Sequence, residues 1–191
     1  MTAALISGPA LEPVTLADAK AHLRLDGDDD DQYLTAAIVS ARVHVEVMTR
    51  RLLIEQHWRV YLDAWPKKRI VTLSPAPLTA VDAVTVYDAD GNPVVVSPED
   101  YDIDTVGVPG RLVLASDVPA VVGRAVNGIE IDVAAGYGPS SVDVPAPLRQ
   151  AIMMLVAHWY EHRGVVGHDQ AVNVPPLGFD ALIAPYRILS L

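Results

Sequence analysis

The chain has no cysteine. Disulfides, thiol nucleophiles and zinc–thiolate sites are therefore excluded from its chemistry. It has a single phenylalanine, and aromatic residues make up only 6% of its 191 positions, so aliphatic side chains must pack its core. Cations are scarce: 14 Lys and Arg stand against 24 Asp and Glu, a formal net charge of -10. A chain of that sign does not grip nucleic-acid phosphates or an anionic membrane through a broad basic face, although an acidic wall can keep DNA from sticking. No apolar run reaches the ~18 residues of a membrane span, and Met1–Ile6 lacks the basic stretch that opens a signal peptide. There is no G-x-S-x-G elbow and no glycine-rich loop ending in Lys-Ser/Thr. Gly107-Val108-Pro109-Gly110 reads as a turn, because Pro109 lacks the N–H that a phosphate cradle would use.

What is present suits one domain, or one domain with a sizeable insertion. Hydrophobic residues are 51% of the chain, enough for a real core, and fifteen prolines with twelve glycines imply many turns. Residues 1–14 read as extended, punctuated by Pro9 and Pro13. Thr15-Leu16-Ala17-Asp18 has the form of a capping box, and a short helix follows to about Leu25 with Leu16, Ala19 and Leu23 on one face. Asp26-Gly27-Asp28-Asp29-Asp30-Asp31 reads as a loop whose last Asp caps the next helix. The alternating ligands and distal Glu of a calcium loop are missing. The second helix spans about 32–52, with Leu34, Ala37, Ile38, Ala41, Val45 and Met48 as its apolar stripe. Arg42, Glu46, Arg50 and Arg51 fall off that stripe and are expected to be solvated or interfacial, and His44 reads as a surface or packing residue.

From Gln56 the periodicity changes to two. Trp58, Val60 and Leu62 alternate with polar neighbours, and further strands are expected at 70–73, 81–87, 94–96, 101–105, 111–114 and 129–133. Asp88-Ala89-Asp90-Gly91-Asn92-Pro93 is a hairpin turn, and Lys67-Lys68-Arg69 is a weak basic cluster. The fold class is thus α+β. A small helical bundle of residues 1–55 and 137–163 carries an antiparallel β-rich insertion at 56–136, and residues 164–191 form a flexible loop and a C-terminal tail.

A third helix is expected near 145–163. Pro145 and Pro147 suit its start, Gly164 its left-handed stop, and Leu148, Ile152, Leu155, Val156 and Trp159 recur on one face. It carries His158-Trp159-Tyr160-Glu161-His162, the spelling H-x-x-E-H. Two imidazoles four residues apart can share a zinc with Glu161 as base, which makes a small metallohydrolase the catalytic alternative. Against it, no second ligand motif follows, Trp159 and Tyr160 look like packing anchors, and a His at a helix C-terminus is favoured by the dipole alone. Structural roles are therefore expected, with no cofactor and no metal. The apolar tail, with Phe179, Leu182 and Ile183 on one short helical turn broken by Pro185, must bury somewhere, either on the chain's own core or in a partner.

Three stretches carry a family resemblance. They are Pro13-Val14-Thr15-Leu16-Ala17-Asp18-Ala19-Lys20-Ala21-His22-Leu23-Arg24-Leu25 with the acidic loop and Leu34–Arg42, then Ala135-Gly136-Tyr137-Gly138 with Val144–Ile152 and Tyr160-Glu161-His162-Arg163, then Leu182-Ile183-Ala184-Pro185-Tyr186-Arg187. In order and spacing the chain resembles the head–tail connector (adaptor) proteins of long-tailed bacteriophages and phage-like gene transfer particles. The β-rich middle departs from their smallest, almost all-helical members. The resemblance implies a structural, non-enzymatic homo-oligomer, typically twelve copies in a ring. Such a ring sits in the particle neck between the portal and a tail-proximal stopper or tail protein, is assembled in the bacterial cytoplasm, and passes DNA through its channel without binding it specifically. It also implies that the tail, through Pro176, Leu177, Phe179, Leu182, Ile183, Pro185, Tyr186 and Arg187, docks on the portal.

Overall fold

A computed structural model describes residues 1–116, 122–163 and 175–188. The protein is α+β, with helices and antiparallel sheets, and it divides into two compact units: Met1–Ala10 with Glu55–Gly138, and Leu11–Ile54 with Pro139–Leu191.

Among its described residues the first unit holds eight strands: β1 (Thr2–Ser7), β2 (Gln56–Leu62), β3 (Ile70–Thr72), β4 (Leu78–Tyr87), β5 (Pro93–Val95), β6 (Tyr101–Asp104), β7 (Arg111–Leu114) and β8 (Ile129–Ala135). They form one sheet of five, ordered β1-β2-β8-β4-β5, and one of three, ordered β3-β7-β6. The period-two pattern of β2 decides its register. Trp58, Val60 and Leu62 lie opposite Val133, Ile131 and Ile129 of β8, so the apolar positions of both strands share a face. That face joins Val84 of β4 with Val71, Leu112 and Leu114 of the smaller sheet in one aliphatic core. Arg59 alternates to the other side of β2. It grips Asp132 of β8 through two bonds of 2.6 and 2.8 Å and approaches Glu130 at 3.1 Å, a cross-strand pairing that reinforces the register. Residues 105–110 link the antiparallel β6 and β7, and the link needs its last glycine: a Cβ on Gly110 would meet the Leu78 side chain at 2.6 Å.

The extended start of the chain belongs to this unit. Residues 2–7, read from sequence as a lead-in to the helical part, pair antiparallel with β2 as Thr2↔Tyr61 through Leu5↔Trp58. The extended reading of residues 1–14 holds for this stretch, but its partner lies some fifty residues later and no local signal names it.

Among its described residues the second unit holds four α-helices: α1 (Leu16–Leu23), α2 (Asp31–Thr49), α3 (Ala146–His162) and the short α4 (Phe179–Ile183). The capping box is formed. The Asp18 N–H donates to Thr15 Oγ1 at 3.0 Å, and the Asp18 carboxylate accepts from the Thr15 N–H at 3.2 Å. Leu34, Ala37, Ile38, Ala41 and Val45 of α2 are buried, as are Leu148, Ala151, Ile152, Leu155 and Val156 of α3, and the two helices pack on these stripes. Met48, expected in the stripe, is exposed at the end of α2.

Arg42 corrects the reading of α2. Expected to be solvated or interfacial, it is only 7% exposed. Its Nε donates to Glu12 at 2.7 Å and a terminal nitrogen to Glu46 at 2.8 Å, while Glu46 also accepts the Leu53 N–H at 3.0 Å. Burial pushes the Glu46 carboxyl above its ordinary range, against the pull of the Leu53 N–H and of Arg42. Burial opposes charge on Arg42 too, but Glu12 and Glu46 outweigh it. The group closes the turn after α2 and ties down the chain before α1. Glu46→Ala leaves a buried guanidinium half paired and is expected to cost about 3 kcal/mol in urea unfolding, whereas Arg50→Ala, on an exposed residue, is expected to change stability by less than about 0.5 kcal/mol.

Candidate functional site

Three groupings in the helical unit bear on function, and all are set by α2 and α3. The first is the histidine pair. The i, i+4 spacing brings the His158 and His162 rings to 4.4 Å between centroids. The polar contact between them is not a ligand arrangement, however: His162 Nδ1–H donates to the His158 carbonyl oxygen at 2.7 Å, which turns that nitrogen onto the backbone of its own helix. Glu161 is exposed, and among the described residues no group of three or more His, Cys, Asp or Glu side chains is arranged to hold a metal ion. The Gly164 stop and the segment 165–171 lie outside the described residues.

The second grouping is at the acidic loop. The sequence puts the last Asp of the run at the cap of α2. The capping position instead falls to Asp30, and its side chain makes no capping bond. The Asp30 carboxylate accepts from the Tyr160 hydroxyl and pairs with Arg163 at 2.8 Å, while the Arg163 guanidinium lies 4.0 Å from the Tyr160 ring centroid. Tyr33 donates to the Trp159 carbonyl at 2.9 Å. The start of α2 is thereby clamped to the end of α3. Lys20 of α1 pairs with Asp28 at 2.7 Å and Asp31 at 2.8 Å, which spreads the charge of the run and holds the loop against α1. The Tyr160 hydroxyl holds the Asp30 carboxyl below the usual carboxylate range, Arg163 adding to it, and the Lys20 hydrogen bond does the same for Asp28. A carboxyl depressed in the folded state contributes stability that is present above its unfolded value, near 3.8, and is lost as pH falls through the lower folded value. Thermal unfolding of Asp30→Asn is therefore expected to depend less on pH than the native chain below about pH 4, the window these depressed groups define.

The third grouping is the tail. Of the residues expected to dock on a partner, Phe179 and Ile183 are fully buried within this unit. Phe179 packs beside the His44 ring, 5.8 Å between centroids, and His44 in turn meets Trp159 edge-on at 6.3 Å. The lone histidine of α2 is thus a packing residue. Past α4 the chain is fastened to the end of α2: Arg51 Nε donates to the Tyr186 carbonyl at 2.6 Å and the Ile188 N–H to the Thr49 carbonyl at 3.0 Å. Arg187 pairs with Asp180 at 2.6 Å. Leu177 is fully exposed, Pro185 is exposed, and Pro176, Leu182, Tyr186 and Arg187 are half-buried. Of the two fates open to an apolar tail, then, folding back accounts for Phe179 and Ile183, and the others leave an outward face.

These groupings fasten the helices and the tail to one another. Comparison with known proteins places the chain with assembly components. Residues 13–90 match the family model described as "Phage gp6-like head-tail connector protein", so the resemblance read from the sequence holds over that stretch. Three solved structures match the whole chain and 97% of their own. They are a chain from the "Neck of empty GTA particle computed with C6 symmetry" (28% identity, TM-score 0.79), one from the "Virion of native gene transfer agent (GTA) particle" (27%, 0.78) and one from the "Neck of native GTA particle computed with C12 symmetry" (28%, 0.74). No curated protein matches this chain.

Proposed function

We propose that the chain is a structural head–tail connector of a phage-like particle, without catalytic activity. It would be built into the neck as a homo-oligomeric ring of twelve copies that lies between the portal and a tail-proximal protein and encloses a channel for DNA. The observation that carries this reading is the end-to-end match to a chain of a gene transfer agent neck, at a TM-score of 0.79 with 28% identity, which takes in the β-rich unit as well as the helical one. The C12 symmetry of one such neck supports the copy number. Charge agrees with the role. Each chain carries -10, and a ring of such chains repels the phosphate backbone, so DNA slides through the channel without being held. Assembly in the bacterial cytoplasm is part of the same proposal.

Portal docking falls to the outward face of the tail. Leu177 and Pro185, with Pro176, Leu182, Tyr186 and Arg187 beside them, would meet the portal, while Phe179 and Ile183 hold that face in place from beneath. The test is binding of purified chain to the portal of the same particle, read by sedimentation and negative-stain imaging. Native chain is expected to add a ring of density to the portal. Leu177→Asp with Pro185→Asp is expected to weaken the interaction at least about tenfold with an unchanged melting temperature, since neither side chain is buried. Full binding by that variant would remove the docking assignment, and native chain that never joins the portal would remove the connector reading.

A further inference from the structure

Among the described residues the two sheets have four free edges, and three are blunted in ways that natural proteins use against strand addition. β5 is three residues long and starts with Pro93. β3 is also three residues long. β6 carries Asp102 and Asp104 within its four residues. The remaining edge, β1, has none of these devices. Its sequence, Thr-Ala-Ala-Leu-Ile-Ser, contains no charge, proline or glycine. Five of its six residues are exposed, Leu5 at 51% and Ile6 at 57% among them. A bulge interrupts its far end between Leu5 and Ser7, but Thr2–Leu5 run in regular register with β2. A strand paired on one side only leaves alternate N–H and C=O groups pointing outward, and an apolar strand of this kind is a template for another chain.

From this we infer that the outer edge of β1 is a subunit–subunit contact, on which the next copy of this chain in the ring lays an extended segment. The occupant follows from the ring reading, on which this inference rests. A closed ring of identical chains needs two unlike surfaces on each copy, one of which must accept the neighbour. Backbone pairing is suited to that task because it fixes register and direction at once. A chain of net charge -10 resists association through its charged faces, whereas β1 offers an uncharged, hydrogen-bonding one.

The test is amide hydrogen exchange in the assembled ring and in the free full-length chain, with a photo-reactive residue placed at the exposed position 5 as a second arm. The outward amides of residues 2–7 are expected to slow at least about tenfold on ring formation. The cross-linked product is expected to contain two copies of this chain and nothing else. Ala3→Lys with Leu5→Lys is expected to weaken ring formation at least about tenfold without lowering the melting temperature, while Val94→Lys with Val95→Lys on β5 leaves it within about twofold. A ring whose residues 2–7 exchange as in the free chain, or a product joining position 5 to a different protein, overturns this inference and leaves the ring intact. If native chain forms no ring, alone or on the portal, the ring reading itself fails.

Discussion

Phe179→Ala is expected to lower the stability of the helical unit by about 4 kcal/mol, one of the largest losses available to a single truncation in this chain. The reason lies in where the residue sits. Phe179 is the only phenylalanine, it is fully buried, and it occupies the space beside His44. Removing its ring leaves a cavity in a unit whose other core residues are aliphatic and already packed, and the short α4 cannot shift to fill it while Arg51 holds the Tyr186 carbonyl. Urea unfolding of the full chain, followed by circular dichroism at the helical minimum, measures the effect. A midpoint within error of the native chain would show that α4 is a detachable tail, and the docking face would then have to be sought on the free segment as a whole. The same observation limits what a truncation can reveal: deleting 175–191 removes Phe179 and Ile183 along with the outward face. Loss of portal binding by such a deletion would then report unfolding as well as lost contact, and for that reason the surface pair Leu177 and Pro185 is the cleaner probe.

Leu155→Asp is expected to prevent the helical unit from folding. Leu155 is 2% exposed on the buried face of α3, and a carboxylate there has no cation to meet within the stripe. The lost transfer energy and the cost of burying an unpaired charge together exceed about 5 kcal/mol, comparable with the whole stability of a small unit. The contrast is His158→Ala, on the same helix three residues on. What His158 contributes to its neighbour is its backbone carbonyl, which accepts from His162, and alanine keeps that carbonyl. The expected change is less than about 1 kcal/mol, with normal assembly. Soluble expression and gel filtration separate the two. Normal folding of His158→Ala with a severe assembly defect, or stoichiometric zinc in the native chain that is lost in the His158→Ala, His162→Ala double variant, would reopen the metal reading of this helix.

These two residues also show how far the sequence reaches. Leu155 was legible because the apolar spacing of α3 is regular and both its start and its partner stripe on α2 are marked by ordinary signals. The same holds for the capping box at Thr15 and Asp18, and for β2, whose alternation over Gln56–Leu62 sets strand and register together. What escaped depends on contacts between distant residues. Arg42 falls on the polar side of its helix by pattern, yet Glu12, thirty residues earlier, makes it a buried charge. Asp30 reads as one more acid in a solvated run, and only its meeting with Tyr160 and Arg163, some 130 residues later, gives it a partner. β1 reads as extended, but nothing in its sequence names a partner some fifty residues later. In the tail, the i, i+3, i+4 spacing of Phe179, Leu182 and Ile183 predicted a helical turn correctly, but spacing has no way of saying which chain an apolar face will cover. The metal-like spelling on α3 is the opposite case. Its pattern is clear, and its geometry brings the two rings together, yet the contact formed is one that a helix end makes for its own backbone.

A chain that works as a ring in the neck of a particle must add to the portal in a fixed number of copies. Native mass measurement of the assembly it forms on the portal tests this most directly, because each added chain contributes 20.5 kDa. One dominant species is expected, exceeding the portal alone by about twelve chain masses, with twelvefold averages in images of the same sample. A portal that gains no mass, with the chain running as a lone 20.5 kDa species beside it, would contradict it.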